Sequence, residues 1–253
     1  LLGRRGFSLK WYTAETGAII STSGYATHFG VNSADLLTIY ACDIARLAGW
    51  EQHVWAAHNV PPEGKVSREL LASQIRAQPA STHAVEELLF VSMRKLEKGF
   101  ERKFGAKLFK HQIDDGSAMQ QISRFHGRDQ ASLLRLAKEI IRVFSDRLNL
   151  RELRKLSSHA EKDKLGSNKL LQDVLAKKIG EERARQVFGP IVGAYDLRVG
   201  DAHPTSSKIG DALELAGIDE SQSYLRQGEQ LIHNVGYSVW CIGKLLFEEK
   251  GNP

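Results

Sequence analysis

Only two cysteines occur in the 253 residues, Cys42 and Cys241, and neither belongs to a CxxC or a Cys/His ladder. A disulfide framework and a structural zinc site are therefore excluded, and a reducing, cytoplasmic setting is expected. No window approaches the ~18 uncharged apolar residues of a membrane span. The opening Leu1-Leu2-Gly3-Arg4-Arg5 lacks the apolar run and small-residue cleavage site of a signal peptide, so no membrane partner is expected. The motifs GxxxxGK[ST], GxGxxG, GxSxG and HExxH are all missing, which removes the usual phosphate-loop, dinucleotide, serine-hydrolase and zinc-protease readings. Neither cofactor nor metal is expected. Cys42, His53 and His58 fit no zinc spacing and lack a fourth ligand, and are read as packing and surface residues.

What is present suffices for a core: 42% of residues are hydrophobic, 26% are charged and only six are proline. The chain opens on Leu rather than Met, as expected of a piece of a longer protein or complex. The net charge of +5 permits a nucleic-acid partner without demanding one, because 35 basic residues are interleaved with 30 acidic ones. The surplus is local. From Arg94 to Lys110 there are seven Lys/Arg against Glu97 and Glu101, and from Arg151 to Arg185 ten basic residues against six acidic. Each run reads either as a solvated helix face or as a contact surface for an anion.

Residues 1–62 are expected to form a small α/β or hairpin-containing element. Phe7–Tyr12 and Ala18–Thr22 favour strands about a Glu15-Thr16-Gly17 turn, Leu36–Tyr40 suggests another strand, and Ile44–Ala57 a helix ended by Pro61-Pro62. Residues 63–128 read as a helical linker or subdomain, with a Ser67-capped helix to Ala77 and a second helix from Thr82 to Phe104, stopped by Gly105. Asp114-Asp115 reads as structural, placed where acidic residues favour a helix N-terminus. Residues 129–253 read as a helical bundle, so the fold class is mainly α. Helices are expected from Asp129, over Asn168–Ile179, over Glu181–Gly200 with Pro190 kinking it or starting a new helix, and over Ser221–Glu249. The last carries Leu225, Gly228, Ile232, Val235, Val239, Ile242 and Leu246 in 3-4 steps, a bundle seam. Gly228, Gly236 and Gly243 call for close approach by another backbone, within the chain or from a second copy.

An arginine and a histidine separated by four to six intervening residues occur five times: Arg46/His53, Arg76/His83, Arg154/His159, Arg198/His203 and Arg226/His233. Spacing alone chooses none of them. Arg198/His203 is set apart because Pro204 biases His203 out of the helical region, placing the pair at a helix exit. Arg226 and His233 share a face of one continuous helix. A guanidinium that holds a phosphate and an imidazole that moves a proton near neutral pH are what metal-free attack of a ribose 2′-OH on its phosphodiester requires. A plainer role for Arg198 and His203 is to satisfy the last carbonyls of the helix.

The run Tyr195-Asp196-Leu197-Arg198-Val199-Gly200-Asp201-Ala202-His203, followed by one long terminal helix, resembles the HEPN superfamily of prokaryotic toxins, phage-defence proteins and CRISPR-associated ribonucleases. The resemblance covers roughly Asp129 to Glu249. It implies that Arg198 holds a scissile RNA phosphate, that His203 acts as acid or base, and that two protomers pair through the bundle so that their sites share a cleft; Asp201 is read as orienting His203 in place of a polar residue after the arginine. Val199 departs from the polar residue that often follows the arginine. Many members have lost cleavage and serve as binding modules, so two readings stand: a metal-independent endoribonuclease of antiviral-defence or toxin type, and a non-catalytic helical module that binds nucleic acid or a protein partner within a larger assembly.

Overall fold

The computed structural model describes residues 1, 4–78, 82–111, 121–159, 161–200 and 206–247. The chain divides into two compact units, Leu1–Ala84 and Val85–Pro253. The boundaries expected from punctuation lay at 62/63 and 128/129.

In the first unit four short strands, β1 (Ser8–Trp11), β2 (Thr16–Ile20), β3 (Ala26–Val31) and β4 (Leu37–Ile39), form an antiparallel meander in chain order. Leu9 pairs with Ile19, Ala18 with His28 and Gly30 with Thr38. Period-two alternation buries Trp11, Ile19, Phe29 and Val31, and the Trp11 and Phe29 rings meet edge to face at 5.3 Å. The first turn precedes Thr16, where Thr13 Oγ1 accepts from the Glu15 and Thr16 amides, so Thr16 and Gly17 belong to β2 rather than to the turn. Gly17 has no alternative: a Cβ there would lie 2.6 Å from the Lys10 carbonyl oxygen and 2.7 Å from the Phe29 ring.

The expected Ile44–Ala57 helix is two helices, α1 (Ala41–Ala45) and α2 (Gly49–Ala57). The break is held by buried Glu51, whose carboxylate accepts from the Ala48 amide at 3.3 Å. Helix α3 (Arg68–Ile75) starts at the expected Ser67 cap, which accepts from Leu70 N.

Seven helices of the second unit lie within the described residues: α4 (Val85–Phe104), α5 (Gln130–Phe144), α6 (Leu150–Leu156), α7 (Ser167–Ile179), α8 (Glu181–Gly200), α9 (Ser206–Ala216) and α10 (Tyr224–Phe247). One continuous core runs through Leu89, Met93, Phe100, Phe144, Phe188, Ile191, Val235 and Ile242. The fold is thus mainly helical, with a small antiparallel sheet near the N-terminus. No helix among the described residues is long and apolar enough to cross a membrane.

Caps explain several boundaries. Asp129 accepts from Ser132 N at 2.7 Å to open α5, and Gly105 and Gly180 take positive φ after α4 and α7. Thr82 does not cap α4. Its hydroxyl instead accepts from Ala14 N and donates to Glu69. Helix α10 begins three residues later than expected, because Asp219 draws the Ser221 backbone amide and hydroxyl and the Gln222 side-chain Nε2 into a turn. Asp114-Asp115 lies outside the described residues.

Helix α8 runs unbroken through Pro190. An interior proline costs a helix about 3 kcal/mol, here offset by complete burial of Phe188, Ile191 and Ala194 around it. One turn back, the Val187 carbonyl accepts from the buried Ser238 hydroxyl of α10 at 2.5 Å.

Two of the three α10 glycines are accounted for within the chain, whereas a Cβ on Gly243 would come no nearer than 3.7 Å to Leu96. A Cβ on Gly236 would stand 3.1 Å from Leu89 N of α4, and one on Gly228 would stand 3.3 Å from the Arg124 carbonyl. Gly228 and Gly236 therefore supply no argument for a second copy.

Candidate nucleic-acid interface

Arg198 lies in the last turn of α8, partly exposed, where Nη1 donates to both Asp146 oxygens at 2.9 Å. Its partner is a carboxylate rather than the terminal carbonyls of its helix. Asp201 and His203 lie outside the described residues.

Of the other four arginine/histidine pairs, Arg226 and His233 line one cleft of about 270 Å³ together with Val85, Gln222, Glu229, Gln230 and Asn234. Beneath the cleft lies an ion network that local sequence reasoning missed. Arg124, in a 3₁₀ turn before α5, is fully buried and paired bidentately with equally buried Glu86: Nε to Oε1 at 3.0 Å and Nη2 to Oε2 at 2.8 Å. Arg124 Nη1 donates to Glu229 Oε1 at 2.5 Å, and Glu229 Oε2 accepts from Arg226 Nη1 at 2.7 Å. Burial works against the Arg124 charge. The hydrogen bonds and charge of Glu86, with the charge of Glu229, outweigh that penalty and hold its pKa above the ordinary arginine value.

Along α10, positions 233, 237, 240 and 244 step by four, three and four, which places them on one helix face away from the core seam. They form a ladder. The His233 and Tyr237 rings stack at 6.1 Å with planes 4° apart, Tyr237 and Trp240 at 5.4 Å and 21°, and Lys244 Nζ lies 4.9 Å over Trp240. Tyr237 is 51% exposed, an unusual position for a ring when the same helix has an apolar seam available. Cys241 lies beside it. Burial pushes that thiol up, with the Tyr237 hydrogen bond and the Lys244 charge partly offsetting the rise.

Beyond Trp240 a second cleft, also about 270 Å³, opens between α4 and α10. It is lined by Ser92, Lys95, Lys98, Gly99 and Arg102 from one helix and Trp240, Gly243, Lys244 and Phe247 from the other. Lys95, Lys98 and Arg102 are exposed, and among the described residues none has a carboxylate within ion-pair distance. Gly99 makes room for Phe247, whose ring a Cβ there would overlap. The Arg94–Lys110 charge surplus thus falls partly on this cleft, interleaved with aromatic surface. The four-three-four spacing of His233, Tyr237, Trp240 and Lys244 was the available signal for the ladder, overshadowed by the apolar seam of the same helix.

No group of three or more His, Cys, Asp or Glu able to hold a metal occurs among the described residues. Comparison with family models, with curated proteins and with solved structures finds no match for the chain.

Proposed function

We propose that the helical unit is a single-stranded RNA-binding module whose contact surface is the exposed face of α10 with the basic edge of α4. The observation that carries this reading is the His233–Tyr237–Trp240 ladder, which ends in Lys244 and is flanked by Lys95, Lys98 and Arg102. Exposed rings with adjacent cations are the two elements of single-strand recognition: the bases stack and the phosphates are neutralised, with each stacked base contributing roughly 1–3 kcal/mol. Duplexes keep their bases stacked on one another and gain little from such a surface. The choice of RNA over DNA comes from the resemblance carried by Arg198 and His203, and DNA is the control. Fluorescence anisotropy with a labelled 12-mer is the test. Trp240→Ala should weaken RNA binding about tenfold or more while the fold is retained. Undiminished binding by that variant, or tighter binding of duplex than of single strand, overturns the reading.

The second reading, metal-independent RNA cleavage of defence or toxin type, is favoured by one observation. Arg198 is held at the exit of α8 by Nη1 alone, and among the described residues its Nε and Nη2 meet no acceptor, which leaves them for a scissile phosphate. In this reading His203 transfers the proton, Asp201 orients it, and a homodimer brings two such sites to one cleft. Shortening of the 12-mer in chelator, abolished by His203→Ala, supports cleavage. Intact RNA under saturating binding overturns it and leaves the binding module.

A further inference from the structure

We propose that the cleft between α4 and α10 seats a terminal phosphate, the phosphomonoester at one end of a strand laid along the ladder, a proposal that rests on the single-stranded RNA reading above.

Helices α4 and α10 lie side by side and run the same way. A Cβ on Gly236 would meet Leu89 at 3.1 Å, one on Gly243 would meet Leu96 at 3.7 Å, and Gly99 faces Phe247. The cleft follows that seam from Ser92 and Trp240 to Arg102 and Phe247. It begins at the last ring of the ladder. At the far end Phe247 leans from α10 onto Gly99, and its ring meets Phe104 edge to face at 6.3 Å. A strand that follows the rings from His233 to Trp240 therefore runs into the cleft and meets Phe247. A recess closed in this way suits the end of a strand, because a strand passing through requires an exit. Its volume, about 270 Å³, falls just below the roughly 300–1,000 Å³ of pockets that enclose a whole small ligand, which suits a phosphate with its sugar better than a complete free nucleotide.

Four cations and no carboxylate line the cleft: Lys95, Lys98 and Arg102 along α4, and Lys244 on α10 over the Trp240 ring. Of the two acidic residues on that stretch of α4, neither lines the cleft, and the Glu97 carboxylate is committed to the Leu108 and Phe109 amides at 2.9 and 3.2 Å. Nor are these cations required at the helix end. Lys103 and Lys178 each donate to the Leu246 carbonyl at 3.2 Å, which places compensating charge at the end of α10. An internal phosphodiester carries one negative charge, whereas a terminal phosphomonoester carries about 1.5–2 at neutral pH and presents three oxygens. Recognition by charge number does not depend on fixed hydrogen-bond directions, because ammonium groups on flexible stems converge on a phosphate and a guanidinium grips two of its oxygens. Ser92 lines the same cleft. Its hydroxyl is buried and has no hydrogen-bond partner among the described residues, although buried hydroxyls are ordinarily paired.

The experiment measures anisotropy with three internally labelled 12-mers of uridine: one with hydroxyls at both ends, one with a 5′-phosphate and one with a 3′-phosphate. One of the two phosphate-ended oligomers should bind the wild-type protein about tenfold more tightly than the hydroxyl-ended one, and its identity gives the direction of the strand along α10. Lys98→Gln combined with Arg102→Gln, both at exposed positions, should erase that difference. Gly243→Met should erase it as well, by adding a side chain to the cleft wall where a Cβ meets only Leu96, at ordinary contact distance. Trp240→Ala should weaken all three oligomers alike. Uridine monophosphate has the phosphate but a single base, and should displace the preferred 12-mer only at concentrations about a hundredfold higher or more. Displacement at parity overturns the strand end in favour of a free nucleotide. Equal affinity for the three oligomers, or the same gain from a phosphate at either end, overturns the terminal-phosphate seat and leaves the single-strand reading standing. Absence of binding to any of the three overturns both.

Discussion

The two clefts that open along α10 are about equal in volume and opposite in construction. At the start of the helix every amide is oriented by a neighbour, and the cations behind it are paired with Glu86 and Glu229. Between α4 and α10, Lys95, Lys98 and Arg102 stand without carboxylates among the described residues, beside the half-buried rings of Trp240 and Phe247. A site whose hydrogen bonds are already directed can discriminate but draws nothing from a distance. Long side chains carrying uncompensated charge attract an anion strongly and specify little about it beyond its charge. Divided in this way, one helix carries directed hydrogen bonds at one end and undirected charge at the other.

The sharpest way to break the contrast is to remove its buried support. Arg124→Met leaves Glu86 buried without a counter-charge and should cost about 3–5 kcal/mol, read as a lowered denaturation midpoint. Replacing both residues, Arg124→Met with Glu86→Gln, should recover much of the loss, because the penalty belongs to the orphaned charge more than to the missing bond. A stability change below about 1 kcal/mol for Arg124→Met would mean that the network does not hold this end of α10.

A smaller effect tests the other end. Combining Lys95→Gln, Lys98→Gln and Arg102→Gln should flatten the dependence of log affinity on log salt by about 2, at roughly 0.7 per phosphate on a single strand. A slope that does not move places the phosphates elsewhere.

The smallest effect concerns Cys241, beside the ladder. Because burial raises its pKa, less of it is thiolate at neutral pH than an ordinary thiol would offer, and raising the pH increases its nucleophilic fraction. Iodoacetamide followed by mass spectrometry should therefore mark exposed Cys42 first, with Cys241 following as pH rises and slowed further by bound RNA. Equal labelling of both thiols at neutral pH would contradict the packing around Tyr237.

Helix limits were legible wherever a local device set them: the Ser67 and Asp129 caps, and the glycines at 105 and 180. Strand β3 was hidden because Gly30 weakens a strand pattern. The reason for that glycine is α3, since a Cβ there would lie 2.7 Å from Ser67 Cβ and 3.0 Å from Leu70 Cβ, a fact absent from residues 26–31 themselves. The same limit governs the site. The sequence placed Arg198 correctly at a helix exit, yet its carboxylate partner is 52 residues away. Arg124 reaches across 38 residues to Glu86 and 105 to Glu229, and nothing in Ser123-Arg124-Phe125-His126 announces a buried charge. Periodicity found the seam of α10, whereas the exposed ladder needed attention to the ring types on the opposite face.

Pro190 deprives α8 of one amide donor in the middle of its length, and one turn back a carbonyl of that helix takes its hydrogen bond from Ser238 on α10. The carbonyl left without an intrahelical donor is that of Gln186, and the Ser238 hydroxyl bonds the next one, Val187, so α10 braces α8 beside the gap in its own ladder. The two helices should consequently form and melt as one cooperative unit, with the folding of α10 coupled to that of the helix that presents Arg198.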